Sequence, residues 1–270
     1  MNEIPKIIHY CWFGHNPLPD LAIKCINSWK KYFPGYEIKE WNEENFDVQI
    51  SDYTKEAYSC KKYAFVSDYA RFWVLYRYGG IYFDTDVEVL QSFDSILKEG
   101  AYMGCERDGC DKNAMGINLG LGMAVAPGLG IIKDLIEYYD SIHFIKDNGE
   151  IDTETIVTKT TKILKKYGLQ EVNGIQKVAG LTIYPAIYFC PDDKARRTGN
   201  YSKNTYSAHH YNASWRNQKY NQRLNSPFWK VVYSLGAKAG TQARKILGDE
   251  KWVKIRDGKL KKIYNSIRGI

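Results

Sequence analysis

The chain has 270 residues, 44% of them hydrophobic and 14% aromatic, which is enough for one substantial core and excludes an intrinsically disordered chain. No basic segment precedes an apolar run at the N-terminus, and no stretch of roughly 18 uncharged apolar residues occurs, so a cytoplasmic chain is predicted. The six cysteines are irregularly spaced, which fits neither a zinc CxxC pair nor a disulfide-rich secreted domain.

The net charge of +7 is unevenly distributed along the chain. Residues 228–270 contain 11 Lys and Arg against 3 Asp and Glu, a net charge of +8, which leaves residues 1–227 at −1. We therefore predict two parts, a catalytic domain over residues 1–226 and a basic C-terminal extension over residues 227–270.

The first elements predict an α/β sheet. Residues 4–13 form a β-branched and aromatic run that ends at Gly14, which predicts a buried strand. Apolar residues at helical spacing predict a helix over 20–32, and residues 36–41 predict a second strand. A strand, helix and strand in this order indicate a βαβ unit.

The middle of the chain predicts a helix that leads to a pair of acids. Residues 57–78 carry an apolar helical face and stop at Gly79-Gly80. Residues 81–83 then predict a short strand that places Asp84 and Asp86 at its C-terminal end, where open α/β sheets bind ligands. Further elements are predicted as strands at 101–105, 122–126 and 180–188 and as helices at 130–143 and 153–167.

The C-terminal part predicts basic amphipathic helices. From residue 228 apolar residues recur every three or four positions with Lys and Arg between them, and residues 252–267 repeat the pattern. Such a segment favours docking on an anionic membrane surface, at the inner face of the plasma membrane. The alternative is a helical pair that packs on the domain with a solvated basic face.

The acids at 84 and 86 have the chemistry of a divalent cation site. Carboxylates are the ligands that a hard cation prefers, and a nucleotide diphosphate supplies further oxygens. Asp68 and Arg71, at positions i and i+3 of the preceding helix, share one helix face. Because a lone DxD occurs by chance in many chains, the prediction depends on this whole arrangement.

Residues 67–71 and 79–86 together resemble the DxD sugar-transferase families. These are bacterial capsule and lipopolysaccharide glycosyltransferases related to initiating α-1,6-mannosyltransferases, animal α-1,4-galactosyltransferases and the glucosylating domains of clostridial toxins. The resemblance runs from Ile4 to about Trp215. It implies a GT-A-type Rossmann-like nucleotide-sugar-binding domain with a mixed central sheet, followed by the helical extension. It also implies retaining transfer of a hexose from a nucleotide sugar, with UDP-hexose favoured, to a glycan acceptor.

The resemblance also implies a role for individual residues of the donor site. Trp12 stacks on the donor base, and a base–aromatic stack contributes about 1–3 kcal/mol. Asp68 and Arg71, with the adjacent Ser67, bind the transferred sugar, and Tyr82 lies near the sugar or diphosphate. Core packing of Trp12 and a surface ion pair between Asp68 and Arg71 are the structural alternatives.

The same resemblance implies the metal ligands and the residues that cover the phosphates of the donor. Asp84 contacts the ribose and the metal, and Asp86 ligates the metal directly. A histidine of the late motif at 206–215 completes the site, with His209 favoured over His210. Because imidazole is softer than carboxylate, Mn²⁺ is expected, with Mg²⁺ as the alternative. Ser214 and Trp215 close over the phosphates, although the serine-to-tryptophan spacing differs by one from the toxin motif.

The expected partners are a nucleotide-sugar donor, a glycan acceptor that is lipid-linked, and the anionic membrane surface, with no nucleic acid. The biological setting would be bacterial capsular or surface polysaccharide synthesis. Two other classes stay open, a metal-dependent phosphodiesterase or nuclease and a non-catalytic sugar-binding protein on the same fold. Asn118 and residues 152–155 fall where acceptor or sugar contacts are expected.

Overall fold

The computed structural model describes residues 3–109 and 114–211. The chain divides into two units, residues 1–211 and 212–270. The predicted extension over 227–270 and the predicted donor residues Ser214 and Trp215 lie outside the described residues. Among the helices of the described ranges, none combines the length and the apolar character needed to cross a membrane.

The described residues form ten strands and seven α-helices. The strands are β1 (Ile7–Cys11), β2 (Glu37–Trp41), β3 (Gly80–Tyr82), β4 (Val87–Val89), β5 (Tyr102–Arg107), β6 (Gly116–Asn118), β7 (Met123–Val125), β8 (Gln176–Val178), β9 (Leu181–Tyr184) and β10 (Ser207–His209). The helices are α1 (Asp20–Tyr32), α2 (Asp52–Ser59), α3 (Tyr63–Tyr78), α4 (Asp94–Lys98), α5 (Gly130–Asp140), α6 (Ile156–Lys166) and α7 (Asp193–Thr198).

The central sheet is mixed, as predicted, and has the order β2-β1-β3-β7-β5-β9-β8, with β6 paired to β5. β1 lies parallel to both β2 and β3, whereas β7 runs antiparallel to β3 and to β5. β3 and β5 therefore point the same way, and their carboxyl ends meet at one edge of the sheet. Residues that follow these strands form part of the candidate site.

Alternate residues of the strands pack into two clusters, one on each face of the sheet. On β3 and just after it, Ile81 and Phe83 join a cluster with Trp29 of α1, whereas Tyr82 joins the cluster that contains the apolar residues of α3 and α5. The period of two in a strand produces this division. The sheet is therefore covered by helices on both faces, as in other α/β domains.

The turn that leads into β3 is fixed by close packing against β1. A Cβ on Gly80, whose φ is +96°, would lie 2.6 Å from the carbonyl oxygen of Ile7. The His9 ring donates from Nε2 to the carbonyl of Gly79 (2.9 Å) and accepts from the Trp41 indole at Nδ1 (3.0 Å). Burial lowers the pKa of His9 to about 4, so the ring stays neutral and holds the turn.

The structure corrects one predicted helix. The region predicted as a single helix over 57–78 contains the end of α2 and all of α3, separated at 60–62. Lys61 adopts a left-handed backbone with φ of 56°, which ends α2. α2 begins earlier than predicted because Ser51 and Thr54 form a capping box at its N-terminus.

Candidate active site

Asp84 and Asp86 lie in the short turn between β3 and β4. The amide of Val87 donates to the carbonyl of Asp84 (3.1 Å), which closes the turn. The sequence predicts both acids at the C-terminal end of a strand over 81–83. In the structure β3 ends one residue earlier, at Tyr82, and the turn that follows brings both carboxylates to one place.

A histidine far along the chain joins these acids through a small second sheet. β10 pairs antiparallel with β4 and places His209 opposite Val87. The His209 ring then lies 3.0 Å from Asp86, measured from Nε2 to Oδ1. His210, the alternative ligand, directs its ring to Glu88 instead (Nε2 to Oε2, 2.8 Å). The structure therefore brings His209 to the two acids, and we call Asp84, Asp86 and His209 the metal end.

The metal end has the composition and charge of a cation site. One ligand atom from each of its three residues lies within 4.8 Å of the others. Burial lowers the pKa of His209, but the nearby carboxylates of Asp86 and Asp84 outweigh it and the pKa is raised. Its Nδ1 is buried and has no hydrogen-bond partner among the described residues. Two carboxylates and an imidazole fit a divalent cation that accepts both oxygen and nitrogen ligands, as Mn²⁺ does.

Gly120 allows the Asp84 carboxylate to reach this position. A Cβ on Gly120 would lie 1.7 Å from Oδ2 of Asp84. The amide of Asp84 donates to the Gly120 carbonyl (3.0 Å), and the Gly120 amide donates to the Asn118 side chain (2.9 Å). No sequence pattern singles out Gly120, because it is one of 22 glycines in the chain.

Asp68 and Arg71 form the second half of the site, which we call the sugar end. Arg71 donates from Nη2 to Asp68 (3.0 Å), and its Nη1 lies 3.2 Å from Oδ1 of Asp84. The side chains of Arg71 and Asp68 are only 5% and 11% exposed. The pair is therefore not a surface ion pair, and Arg71 connects the sugar end to the metal end.

Burial sets the charge balance at the sugar end. It raises the pKa of Asp68 to about 6, although Arg71 opposes that shift. Burial alone would lower the pKa of Arg71, but the Asp84 carboxylate and other neighbours raise it. Arg71 therefore keeps its charge, which it divides between Asp68 and Asp84.

The remaining predicted donor residues lie around these two ends. Tyr82 donates from its hydroxyl to Asp84 (3.2 Å), and its ring lies 4.8 Å from the Arg71 guanidinium. Trp12 is half-buried, and its indole donates to the carbonyl of Asn16 (2.6 Å). Ser67 donates its hydroxyl back to Tyr63 within α3 (3.2 Å), whereas its carbonyl accepts from Arg71.

Glu106 is a further carboxylate at this edge and is absent from the residues predicted from the sequence. It lies at the carboxyl end of β5 and accepts from the Asn118 amide (2.9 Å) and from Arg107 (2.5 Å). Its charge contributes to the raised pKa of His209. The sequence contained a usable signal, because Glu106 directly follows the strand predicted at 101–105.

Comparison with known proteins finds a match over the region that carries the sugar end and the two acids of the metal end. Residues 19–102 match the family model described as a glycosyltransferase sugar-binding region containing a DXD motif. This stretch, about a third of the chain, is similar to that family. The DXD region includes Asp68, Arg71, Asp84 and Asp86, whereas Trp12 and His209 lie outside it.

Similarity to individual proteins covers only part of each chain. Inositol phosphoceramide mannosyltransferase 3 of Schizosaccharomyces pombe is 27% identical over 150 residues, which is 52% of this chain and 40% of that protein. Inositol phosphoceramide mannosyltransferase 1 of the same yeast is 29% identical over 114 residues, 38% of this chain and 34% of the relative. The chain thus spans less than half the length of each. The solved PaToxG glycosyltransferase aligns over 61% of this chain and 75% of its own, with 17% identity and a TM-score of 0.40.

Proposed function

We propose that this chain is a metal-dependent, retaining glycosyltransferase that moves a hexose from a nucleotide sugar to a glycan acceptor. The observation that carries the proposal is the connection between the two ends. Arg71 lies 3.0 Å from Asp68 and 3.2 Å from Asp84, so one guanidinium joins a candidate sugar ligand to a candidate metal ligand. A donor whose diphosphate binds at the metal end therefore has its sugar beside Asp68.

Asp84, Asp86 and His209 would hold the cation. When bound, a divalent metal neutralises charge on the departing diphosphate. Asp68 accepts hydrogen bonds from sugar hydroxyls, and Arg71 fixes the carboxylate that does so. Tyr82 supports Asp84 through its hydroxyl. These residues act mainly by orienting the donor, which supplies much of the rate enhancement in such a reaction.

Retention favours attack by the acceptor on the face from which the diphosphate leaves. A covalent glycosyl-enzyme would need a carboxylate nucleophile at the sugar. Asp68 pairs with Arg71 and is assigned to the sugar hydroxyls, and Glu106 accepts hydrogen bonds from Asn118 and Arg107. The front-face route needs no such group, since the departing phosphate oxygen takes the proton of the acceptor hydroxyl.

Donor and acceptor are proposed on separate grounds. The resemblance to toxin and galactosyltransferase motifs around Asp84 favours a UDP-hexose with Mn²⁺, and the names of the yeast relatives make GDP-mannose the second candidate. Those names also refer to inositol phosphoceramide, a lipid, which favours a lipid-linked acceptor. We place the reaction in bacterial surface polysaccharide synthesis, at the cytoplasmic face of the membrane.

The basic charge of residues 227–270 supports membrane docking, because each Lys or Arg near an anionic surface contributes about 1 kcal/mol. Flotation with anionic liposomes, for the full chain and for residues 1–226, tests this part. The full chain should float and the shortened chain should not. Equal flotation would place the membrane contact elsewhere.

A donor-hydrolysis screen tests the central proposal. The chain is incubated with Mn²⁺ and UDP-galactose, UDP-glucose, the UDP-N-acetylhexosamines or GDP-mannose. We expect release of one nucleotide diphosphate, and a loss of at least about a hundredfold in Asp86→Ala. Glu88→Gln, at the next acid along the same segment, is the matched control and should stay within about threefold. Equal activity in Asp86→Ala, or DNA cleavage in place of donor hydrolysis, would contradict the proposal.

A further inference from the structure

Lys159 is a lysine of α6 with almost no solvent exposure. Its side chain is 1% exposed, whereas Lys162, one turn later on the same helix, is 63% exposed. Burying an ammonium group costs several kcal/mol unless it is paired and hydrogen-bonded. Lys159 meets that requirement through Asp152, whose Oδ2 lies 2.5 Å from Nζ.

The ammonium group connects three segments of the chain. Besides Asp152, it donates to the carbonyl of Glu154 (3.1 Å) and to the hydroxyl of Tyr53 on α2 (3.5 Å). It also lies over the rings of Tyr53 and Tyr139, at 5.1 and 5.4 Å from their centroids. Lys159 therefore holds α2, α5 and the segment 152–154 together around one charge.

This assembly packs beneath the part of α3 that carries the sugar end. The centroid of the Tyr139 ring lies 5.8 Å from that of Phe72 and 6.4 Å from that of Tyr69. In sequence, Tyr69 directly follows Asp68 and Phe72 directly follows Arg71. The positive charge of Lys159 also acts on Asp68 in the direction opposite to burial. Asp68 thus has Arg71 as its direct partner and Lys159 as a second, deeper cation.

Stability alone is a weak explanation for such a pair. Replacing a buried ion pair by packed apolar side chains is often neutral or stabilising in proteins. We infer that Lys159 is a positioning residue for the sugar end: with Asp152 and Tyr53 it fixes the platform beneath α3, and so the place where Asp68 and Arg71 meet the transferred hexose. This inference rests on the proposed function. It predicts that Lys159, Asp152 and Tyr53 affect binding of the sugar and do not affect binding of the nucleotide.

The test compares a nucleotide with its sugar conjugate. Dissociation constants for UDP and for UDP-glucose, or for GDP and GDP-mannose if the hydrolysis screen selects guanine, are measured with Mn²⁺. The variants are Lys159→Met and Lys159→Met/Asp152→Asn, and the matched control is Lys162→Met. Lys159→Met leaves the Asp152 carboxylate buried without its partner. If that variant does not fold, the double variant still tests the inference, because it removes both buried charges.

We expect the nucleotide sugar to bind about tenfold or more weakly to the Lys159 variants, with UDP affinity within twofold of wild type and Lys162→Met unchanged. Such a change in sugar affinity alone is not the result of a general loss of structure. Equal weakening of UDP and UDP-glucose, or no change in either, would overturn the inference while the proposed function stands. A wild-type chain that binds no nucleotide sugar would overturn both.

Discussion

The metal end and the sugar end of the candidate site are built in different ways. Asp84, Asp86 and His209 come from a turn and from a short strand 123 positions away, with side chains that are 28%, 17% and 9% exposed. Asp68 and Arg71 lie one turn apart on one helix and are deeply buried. The two acids of the metal end are therefore partly exposed to solvent and to a soluble cation, whereas both residues of the sugar end hold buried charges at a cost in stability, as is common for functional groups.

The largest expected effect comes from removing the buried charge of the sugar end. Asp68→Asn should lower donor hydrolysis by about a hundredfold, because the sugar loses its carboxylate partner. The same variant should be more stable than wild type at pH 7. The folded-state pKa of Asp68 is about 6 against 3.8 for the free group, so its contribution to stability falls as pH rises from about 4 to 6.

The raised pKa of Asp68 corresponds to a loss of about 3 kcal/mol from the free energy of unfolding at neutral pH. Urea unfolding of both proteins at pH 4 and pH 7 measures the difference. The advantage of Asp68→Asn should be present at pH 7 and small at pH 4. A variant that is less stable than wild type at pH 7 would contradict the contrast between the two ends.

His9 sharpens the comparison because its linkage to pH has the opposite sign. Its pKa falls from 6.5 in the free group to about 4 in the fold, so wild type loses stability as pH falls from 6.5 to 4. His9→Gln removes this titration. Between pH 6.5 and pH 4, the free energy of unfolding of His9→Gln should therefore fall by roughly 3 kcal/mol less than that of wild type. Identical pH dependence of the two proteins in chemical unfolding would show that His9 is not held neutral.

Gly120→Ala tests the metal end without changing a ligand. The new methyl group would meet the side chain of Asp84 and would displace its carboxylate without a clash against backbone atoms, so the fold should persist. We expect manganese affinity and donor hydrolysis to fall about tenfold or more. Gly130→Ala is the matched control, because a Cβ there meets nothing within 4 Å. A Gly120→Ala variant with wild-type manganese affinity would show that Asp84 does not need its present position.

The smallest expected effect lies away from both ends, at the turn between β8 and β9. Ala179 has φ of 50° and precedes Gly180 at 81°, a turn geometry that favours Asn-Gly. Ala179→Asn should raise the free energy of unfolding by about 0.5–1 kcal/mol and leave hydrolysis unchanged. A change in donor hydrolysis by Ala179→Asn would show that a substitution far from the metal end and the sugar end can alter activity.

The sequence was most informative where function depends on neighbouring residues. The spacing of Asp68 and Arg71, and the acids that follow a short strand, are local patterns, and the helix at 20–32 was predicted with its observed bounds. His209 was expected from a resemblance alone. The pairing of β10 with β4 that brings it to Asp86 is a long-range contact which no local pattern shows.

Other features depend on tertiary packing that sequence patterns do not show. The break at Lys61 requires a left-handed residue that nothing in its side chain favours. A lysine on an amphipathic helix is ordinarily solvated, so the burial of Lys159 was missed. One signal was present, because Lys159 shares a helix face with Ile156 and Ile163, at spacings of three and four.

Manganese binding to the metal end provides the most direct test of the proposed site. Electron paramagnetic resonance of Mn²⁺ in the presence of UDP would be recorded for wild type, Asp86→Ala and His209→Ala. We expect one bound ion per chain in wild type, with affinity reduced about tenfold or more in both variants. Wild-type affinity in Asp86→Ala would show that these three residues do not hold the cation, and the proposed glycosyltransferase site would be wrong.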